Sequence, residues 1–129
     1  DTAELTELVR QRLARQITAA LRGEAVDLRA AILDPRAEEI FRAAGAGGRG
    51  VPDARVLTKL AAALEKAARD AAARDEPMVV VTAPDVRRAV SAVAQRHAPG
   101  LSVVSYRDID PSVPRVTRAV VGNEEVLSA

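Results

Sequence analysis

Side chains able to do covalent chemistry are sparse in this sequence. Cysteine is absent and histidine occurs once, at His97. Thiol catalysis, disulfides and thiolate metal sites are therefore excluded. A lone histidine has no second imidazole with which to hold a metal. No serine near it sits in a recognisable nucleophile setting. His97 falls in the last turn of a predicted helix, where an imidazole that is cationic when protonated suits the dipole. Asp34, at the end of a predicted strand, has the position of a receiver-domain phosphoacceptor. That chemistry needs further acids at other strand ends and a lysine beyond a later strand. Lys59 and Lys66, the two lysines, both fall inside a helix, so Asp34 is read as a helix cap before Pro35. The run Gly45-Ala46-Gly47-Gly48-Arg49-Gly50 follows a helix and lacks the Gly-Lys-Ser/Thr of a phosphate loop. It is read as a flexible connection. Ser105, Asp108 and Asp110 lie on a turn-rich stretch, and the two acids are read as exposed capping and solubility groups. No catalytic, cofactor or metal residue is assigned.

The elements that would position these groups follow from apolar spacing. Residues 1 to 22 form one predicted amphipathic helix, with Leu5, Leu8, Val9, Leu13, Ile17 and Leu21 on one face and Gly23 as its stop. Val26, Leu28, Ala30 and Ile32 alternate within a strand ending at Leu33. Residues 37 to 44 make a short helix. Pro52 and Asp53 start a long one reaching Arg74, with Val56, Leu57, Leu60, Leu64, Ala67 and Ala71 inward. Val79, Val80 and Val81 are a buried strand. Thr82 with Asp85, or Ala83 with Pro84, opens a helix whose stripe is Val86, Val90 and Val93. Pro99 and Gly100 end it, Leu101 to Val104 is a third strand, and Val116 to Val121 a fourth. The predicted fold is α/β: a small mixed sheet of about four strands flanked by helices and preceded by the N-terminal amphipathic helix. The one-faced helix over residues 1–23 needs a partner surface; read from its own pattern, it is a packing helix of this domain.

Composition bounds the function. The chain has 129 residues, 19 Lys and Arg against 18 Asp and Glu, and a formal net charge of +1. That balance gives no electrostatic footprint for nucleic acid or an anionic membrane. One phenylalanine and one tyrosine are the aromatics, so the core must be Val, Leu, Ile and Ala. There is no apolar run long enough to cross a bilayer. The first residue is not Met, so the chain is expected to be a fragment, and any membrane spans upstream of Asp1 would not be visible in it.

From Pro84 onward, order and spacing carry a resemblance. Pro84, Arg87 and Arg88 at a helix start precede Pro99, Leu101 and Val103, then Ser105, Tyr106, Asp108 and Ile109 before a short valine strand. This pattern resembles the last part of the cytoplasmic region of the flagellar export gate protein FlhA and its SctV-type relatives in virulence type III secretion. Asp108 stands where the family usually has Glu, and Asp110 where it often has Pro. The Ser105-Tyr106 pair is closer to the flagellar form. The resemblance implies a non-catalytic docking and ring-forming domain on the cytoplasmic side of the bacterial inner membrane. It implies a homo-oligomeric ring, usually ninefold, and export chaperones, substrates and other export-apparatus proteins as partners. Membrane attachment would come through the part upstream of Asp1. It also implies that residues 1–23 close a preceding helical subdomain, a role compatible with packing here, and that 24–129 form a terminal α/β subdomain. Pro84, Arg87, Arg88, Ser105, Tyr106, Asp108 and Ile109 are the candidate interface residues. Arg87 and Arg88 suit an acidic partner or phosphate at the helix start, or, as the plainer reading, solvation or a salt bridge to Asp85 or a neighbouring subunit; Tyr106 suits an interface anchor or the core. The competing class is a small α/β ligand-binding or enzyme domain, with Asp34, Thr82 and Ser105 at its strand ends. The Gly23 and Gly45–Gly50 regions are expected flexible points.

Overall fold

The computed structural model describes residues 1–46 and 52–123. Four strands, β1 (Leu28–Leu33), β2 (Val79–Thr82), β3 (Ser102–Ser105) and β4 (Arg115–Val121), form one sheet in the order β3-β2-β1-β4. Every neighbouring pair is parallel, where a mixed sheet was expected. The reason lies in the connections. Helices α3 (Pro35–Ala46) and α4 (Ala54–Ala73) lie between β1 and β2, and α5 (Arg87–His97) between β2 and β3. The link from β3 to β4 returns the chain to the far side of β1, again in the same direction. Parallel strands are buried on both faces, so they read as continuous apolar runs rather than clean alternations. Val79, Val80, Val81 and Thr82 are all buried accordingly.

The two faces carry two cores. Val80, Val103, Ala31, Leu33 and Val121 meet Phe41 of α3, Leu60 and Leu64 of α4, and Val90 and Val93 of α5. Leu28, Ala30, Val79, Val81 and Val104 point the other way, towards Ile109, with Ile17, Leu21 and Val113 packed against them. The second core is covered by α2 (Ala14–Arg22) and by the 109–114 stretch, not by a long helix.

Start signals behave as the spacing predicts. Asp34 accepts the Arg36 N–H at 2.8 Å and Asp53 accepts the Arg55 N–H at 2.9 Å, satisfying orphan donors of α3 and α4. Ala83 caps the 3₁₀ turn Pro84–Val86 that leads into α5, with Pro84 in its first position. Thr82, the other candidate cap, instead donates to the Ala83 carbonyl at 3.1 Å and is fully buried.

Two elements differ from expectation. β1 begins at Leu28, and Val26 is 80% exposed. The single N-terminal helix is two, α1 (Thr2–Arg12) and α2, hinged at Leu13. The Leu13 N–H is shared between the Val9 and Arg10 carbonyls, so the ladder bends rather than stops. The bend lets the halves bury different faces. Ile17 and Leu21 of α2 reach the second core, whereas Leu5, Leu8, Val9 and Leu13 stay exposed. Gly23, with φ of +57°, then ends α2 in a conformation that disfavours any side chain. The expected flexible run Gly45–Gly50 begins inside a helix instead, because α3 extends through Gly45 and Ala46; residues 47–51 and 124–129 lie outside the described residues.

Candidate functional site

The 3₁₀ turn Tyr106–Asp108, directly after β3, brings the candidate residues of the C-terminal half together. Asp108 folds back on the turn as a capping box, and its Oδ2 accepts the Ser105 N–H at 2.9 Å. The return contact is loose: Ser105 Oγ is buried and has no partner of normal geometry, and the same holds for Asp108 Oδ1. Asp108 is 0% exposed. The expectation of an exposed solubility acid on a flexible connector is thus corrected, because the turn carries the carboxylate inward beneath α1. There the Arg10 guanidinium meets Oδ2 through Nε and Nη2, both at 3.2 Å. Ile109 is buried in the second core, and Ser105 is 1% exposed. Asp110 stays at the surface, where Ser112 caps it through N–H and Oγ, and this holds its carboxyl below the usual range.

Arg87 is the second anchor. Its Nε and Nη2 donate to the two carboxylate oxygens of Glu7 at 2.7 and 3.0 Å, and Nη1 reaches the Val103 carbonyl at 3.4 Å. The bidentate hydrogen bond from Arg87 holds the Glu7 carboxyl below its ordinary value. Arg87 is thus a buried cation paired with Glu7 of α1, not with Asp85. Glu7 and Arg10, three residues apart on α1, share one side of that helix. The pair explains why α1 turns its charged side to the domain and its leucines outward.

The loop before α5 is clamped in a similar way from α3. Glu38, buried, accepts the Ala83 N–H, and Arg42 binds Asp85 through Nε and, at 3.0 Å, Nη2. The Arg42 hydrogen bond pulls the Asp85 carboxyl down. Pro84 lies half-buried between these clamps. Thr18 of α2 fixes the connector after the turn, accepting the Asp110 N–H at 2.8 Å while donating to the Ala14 carbonyl at 2.7 Å.

Of the seven candidate interface residues, Arg88 and Tyr106 are exposed. Tyr106 is 44% exposed, with the Arg115 guanidinium 5.7 Å above its ring. Burial of part of the ring pushes its hydroxyl up, with the Glu38 charge adding to the effect. Glu7, Arg10 and Glu38 were missed in the sequence, as was Glu76. Glu76, in the turn before β2, accepts from Arg29 of β1, Arg74 at the end of α4 and Arg118 of β4. These hydrogen bonds, Arg118 first, hold its carboxyl down to about 2.

The strand ends that would serve a ligand in a doubly wound domain are otherwise engaged. Asp34 caps α3, Thr82 binds the Ala83 carbonyl, and the Ser105 N–H is held by Asp108. Gly122, directly after β4, has φ of +75° and is closely packed on one side. A Cβ there would stand 2.9 Å from Leu60 Cδ2 and 3.0 Å from Ala37 Cβ. His97 lies 4.0 Å from Glu65 in an exposed pair. Among the described residues, no three of His, Asp or Glu converge as a metal site would require, and no helix is long and apolar enough to cross a membrane.

A model of the FHIPEP family matches residues 1–114. No curated protein sequence matches the chain. Among solved structures, the Chlamydia pneumoniae CdsV protein is 25% identical over 94% of this chain and 36% of its own, with a TM-score of 0.74. The Shigella flexneri MxiA protein is 23% identical over 93% of this chain and 40% of its own, with a TM-score of 0.76. The nonameric EPEC SctV-C is 18% identical over 94% of this chain and 37% of its own, with a TM-score of 0.74. The last two show the fold alone. The chain thus spans well under half the length of these solved chains.

Proposed function

Because the chain belongs to the FHIPEP family, we propose that it is the terminal, non-catalytic part of the cytoplasmic region of a type III export gate. The carrying observation is the family match over 1–114, reinforced by the fold shared with CdsV. Solved relatives include a nonameric ring and a complex of CdsV with CdsO. On this reading the chain contributes to a homo-oligomeric ring on the cytoplasmic side of the bacterial inner membrane. Its partners are export chaperones with their substrates and other proteins of the export apparatus, and the membrane is reached through sequence upstream of Asp1. Residues 1–23 pack against a preceding subdomain, in line with the outward Leu5, Leu8, Val9 and Leu13. Subdomain motion passes through Gly23, which ends α2 with φ of +57°. Hydrogen exchange protection there as high as in β2 would refute that motion.

The test is replacement. This chain is substituted for the matching segment of the export gate in a flagellar strain and in a virulence-secretion strain. Restored export in either supports the reading. The Ser105–Tyr106 pair favours the flagellar host. A chimera that accumulates in the membrane at normal level yet exports nothing in both hosts overturns it. Tyr106→Ala and Arg88→Glu, both at exposed positions, are expected to lower export in the restored strain while leaving thermal unfolding unchanged.

A further inference from the structure

Not one residue of α1 is buried, and at 11 residues α1 is shorter than a helix that holds in water unaided. What keeps it in place is its charged side. Glu7 binds Arg87 at 2.7 and 3.0 Å, and Arg10 meets Asp108 Oδ2 at 3.2 Å. That same oxygen accepts the Ser105 N–H at 2.9 Å, so one atom joins α1 to the turn Tyr106–Asp108. Glu7 and Arg10 face their partners together only while the segment is helical, which sets them one turn apart on one side.

Two features favour opening as a unit. α1 bends from α2 at Leu13, whose N–H is shared between two carbonyls. α2 is fastened separately: Thr18 is 1% exposed and accepts the Asp110 N–H, and Ile17 and Leu21 pack on the second core. The turn beneath α1 also holds two buried polar atoms without partners, Ser105 Oγ and Asp108 Oδ1. Water reaching the turn satisfies both, which offsets part of what the broken ion pairs cost.

We propose that α1 is a latched arm that opens about Leu13 as one unit, and that its closure fixes the Tyr106–Asp108 turn. Helix, ion pairs and turn then share one equilibrium. Contact that holds Leu5, Leu8, Val9 and Leu13 in helical register favours closure, and closure orders the surface around Tyr106. The coupling is reciprocal, so contact at Tyr106 firms the leucine face. This device stands on the geometry of α1 and the turn and does not rest on the export-gate reading.

The test uses the full chain and two readouts, amide hydrogen exchange and the emission of Tyr106, the one tyrosine in a sequence without tryptophan. Leu8→Gly alters an outward residue that is 58% exposed, and it weakens the helix without touching either anchor. It should speed exchange about fivefold through α1 and, by the same factor, at the Ser105 N–H, and should change the intensity of Tyr106 emission. Glu7→Gln, which removes the bidentate contact with Arg87, should do the same about tenfold, from Leu5 to Arg12. In reverse, Asp108→Asn should speed exchange from Leu5 to Leu8, the turn preceding Arg10. In all three variants the second half of α2 and β2 keep their protection, which shows that the domain is folded. Faster exchange confined to α1, with Ser105 or Tyr106 unmoved, overturns the coupling. A rise only at the substituted turn, or an equal rise in β2, overturns the arm.

Discussion

On one face of the sheet, α3, α4 and α5 bring Phe41, Leu60, Leu64, Val90 and Val93 into a continuous apolar core. On the other, α2 contributes Ile17 and Leu21, the 109–114 stretch covers what remains, and α1 is tied on by Arg10–Asp108 and Glu7–Arg87. The first face gains from area removed from water, about 25 cal/mol per Å², spread over many residues. The second has its own apolar cluster, but α1 is held to it by two ion pairs whose inner members, Asp108 and Arg87, are buried and would be left uncompensated by loss of their partners. A domain built this way is expected to have a more stable half and a half that is released at specific points. The releasable half is the one that carries the exposed leucines.

The sharpest way to break this comparison is to damage the first face. Leu60 is fully buried and packs against Gly122 as well as the core. Leu60→Ala should cost about 2–5 kcal/mol, the usual range for a buried leucine truncated to alanine. Urea unfolding read by circular dichroism checks it, and the whole domain should lose stability together. A cost under about 1 kcal/mol would mean that the α4 face is not the main core.

Next in size comes Asp108→Ala. It strands the Ser105 N–H and the Arg10 guanidinium, at roughly 1–3 kcal/mol. Here the pattern matters more than the amount. Hydrogen exchange should rise through α1 and the 105–110 turn while α4 and β2 keep their protection. Equal loss in α4 would show that the two faces unfold as one unit. Arg87→Ala is expected to give the same local release through Glu7, which makes the pair of variants a check on each other.

This division also marks what the sequence could reveal. The apolar stripes of α4 and α5, the valine strands and the Asp34 and Asp53 caps are local signals, written within a few residues of the structure they produce. Parallel pairing throughout could not be read, because the turn-rich link from β3 to β4 is compatible both with turning back beside β3, antiparallel, and with crossing the sheet to pair with β1, parallel. The anchors of α1 were invisible for a related reason. Glu7 and Arg87 are 80 residues apart, and Arg10 and Asp108 are 98 apart. Nothing in either neighbourhood separates them from solvated charges. The stripe Leu5, Leu8, Val9 and Leu13 did look like a buried face, and periodicity alone cannot say whether the burying surface belongs to the same domain. Asp108 was misread because turn-rich sequence suggests exposure, whereas this turn is folded beneath a helix.

A smaller effect appears on acidification. Glu76 joins β1, α4 and β4 across one end of the sheet, its carboxyl held at about 2 against an ordinary 4.5. Because the folded value is the lower one, the contribution is complete above about pH 4.5 and is lost as pH falls towards 2. Glu7 and Asp85 shift in the same direction and add to the loss. The urea midpoint should therefore drop across that window. Glu76→Gln should have a lower midpoint at neutral pH and a shallower fall below pH 4.5. A fall as steep as that of the unaltered chain would show that the arginines do not act on this carboxylate in solution.

The smallest effect separates an exposed face from a waiting one. Leu5 and Leu8 are 62% and 58% exposed, so Leu5→Ser and Leu8→Ser remove little burial from this chain. Each should change its stability by no more than about 0.5 kcal/mol, as surface substitutions do. If α1 closes a preceding subdomain, the same changes in the longer protein should cost several times more, since there they would remove buried leucine methyls. Thermal unfolding of both lengths, with and without the substitutions, measures the difference. A cost that stays near zero in the longer protein would leave the α1 stripe as surface and refute its proposed packing role. A large cost in the short chain would mean instead that α1 packs inward through its leucines, against the Glu7 and Arg10 anchors.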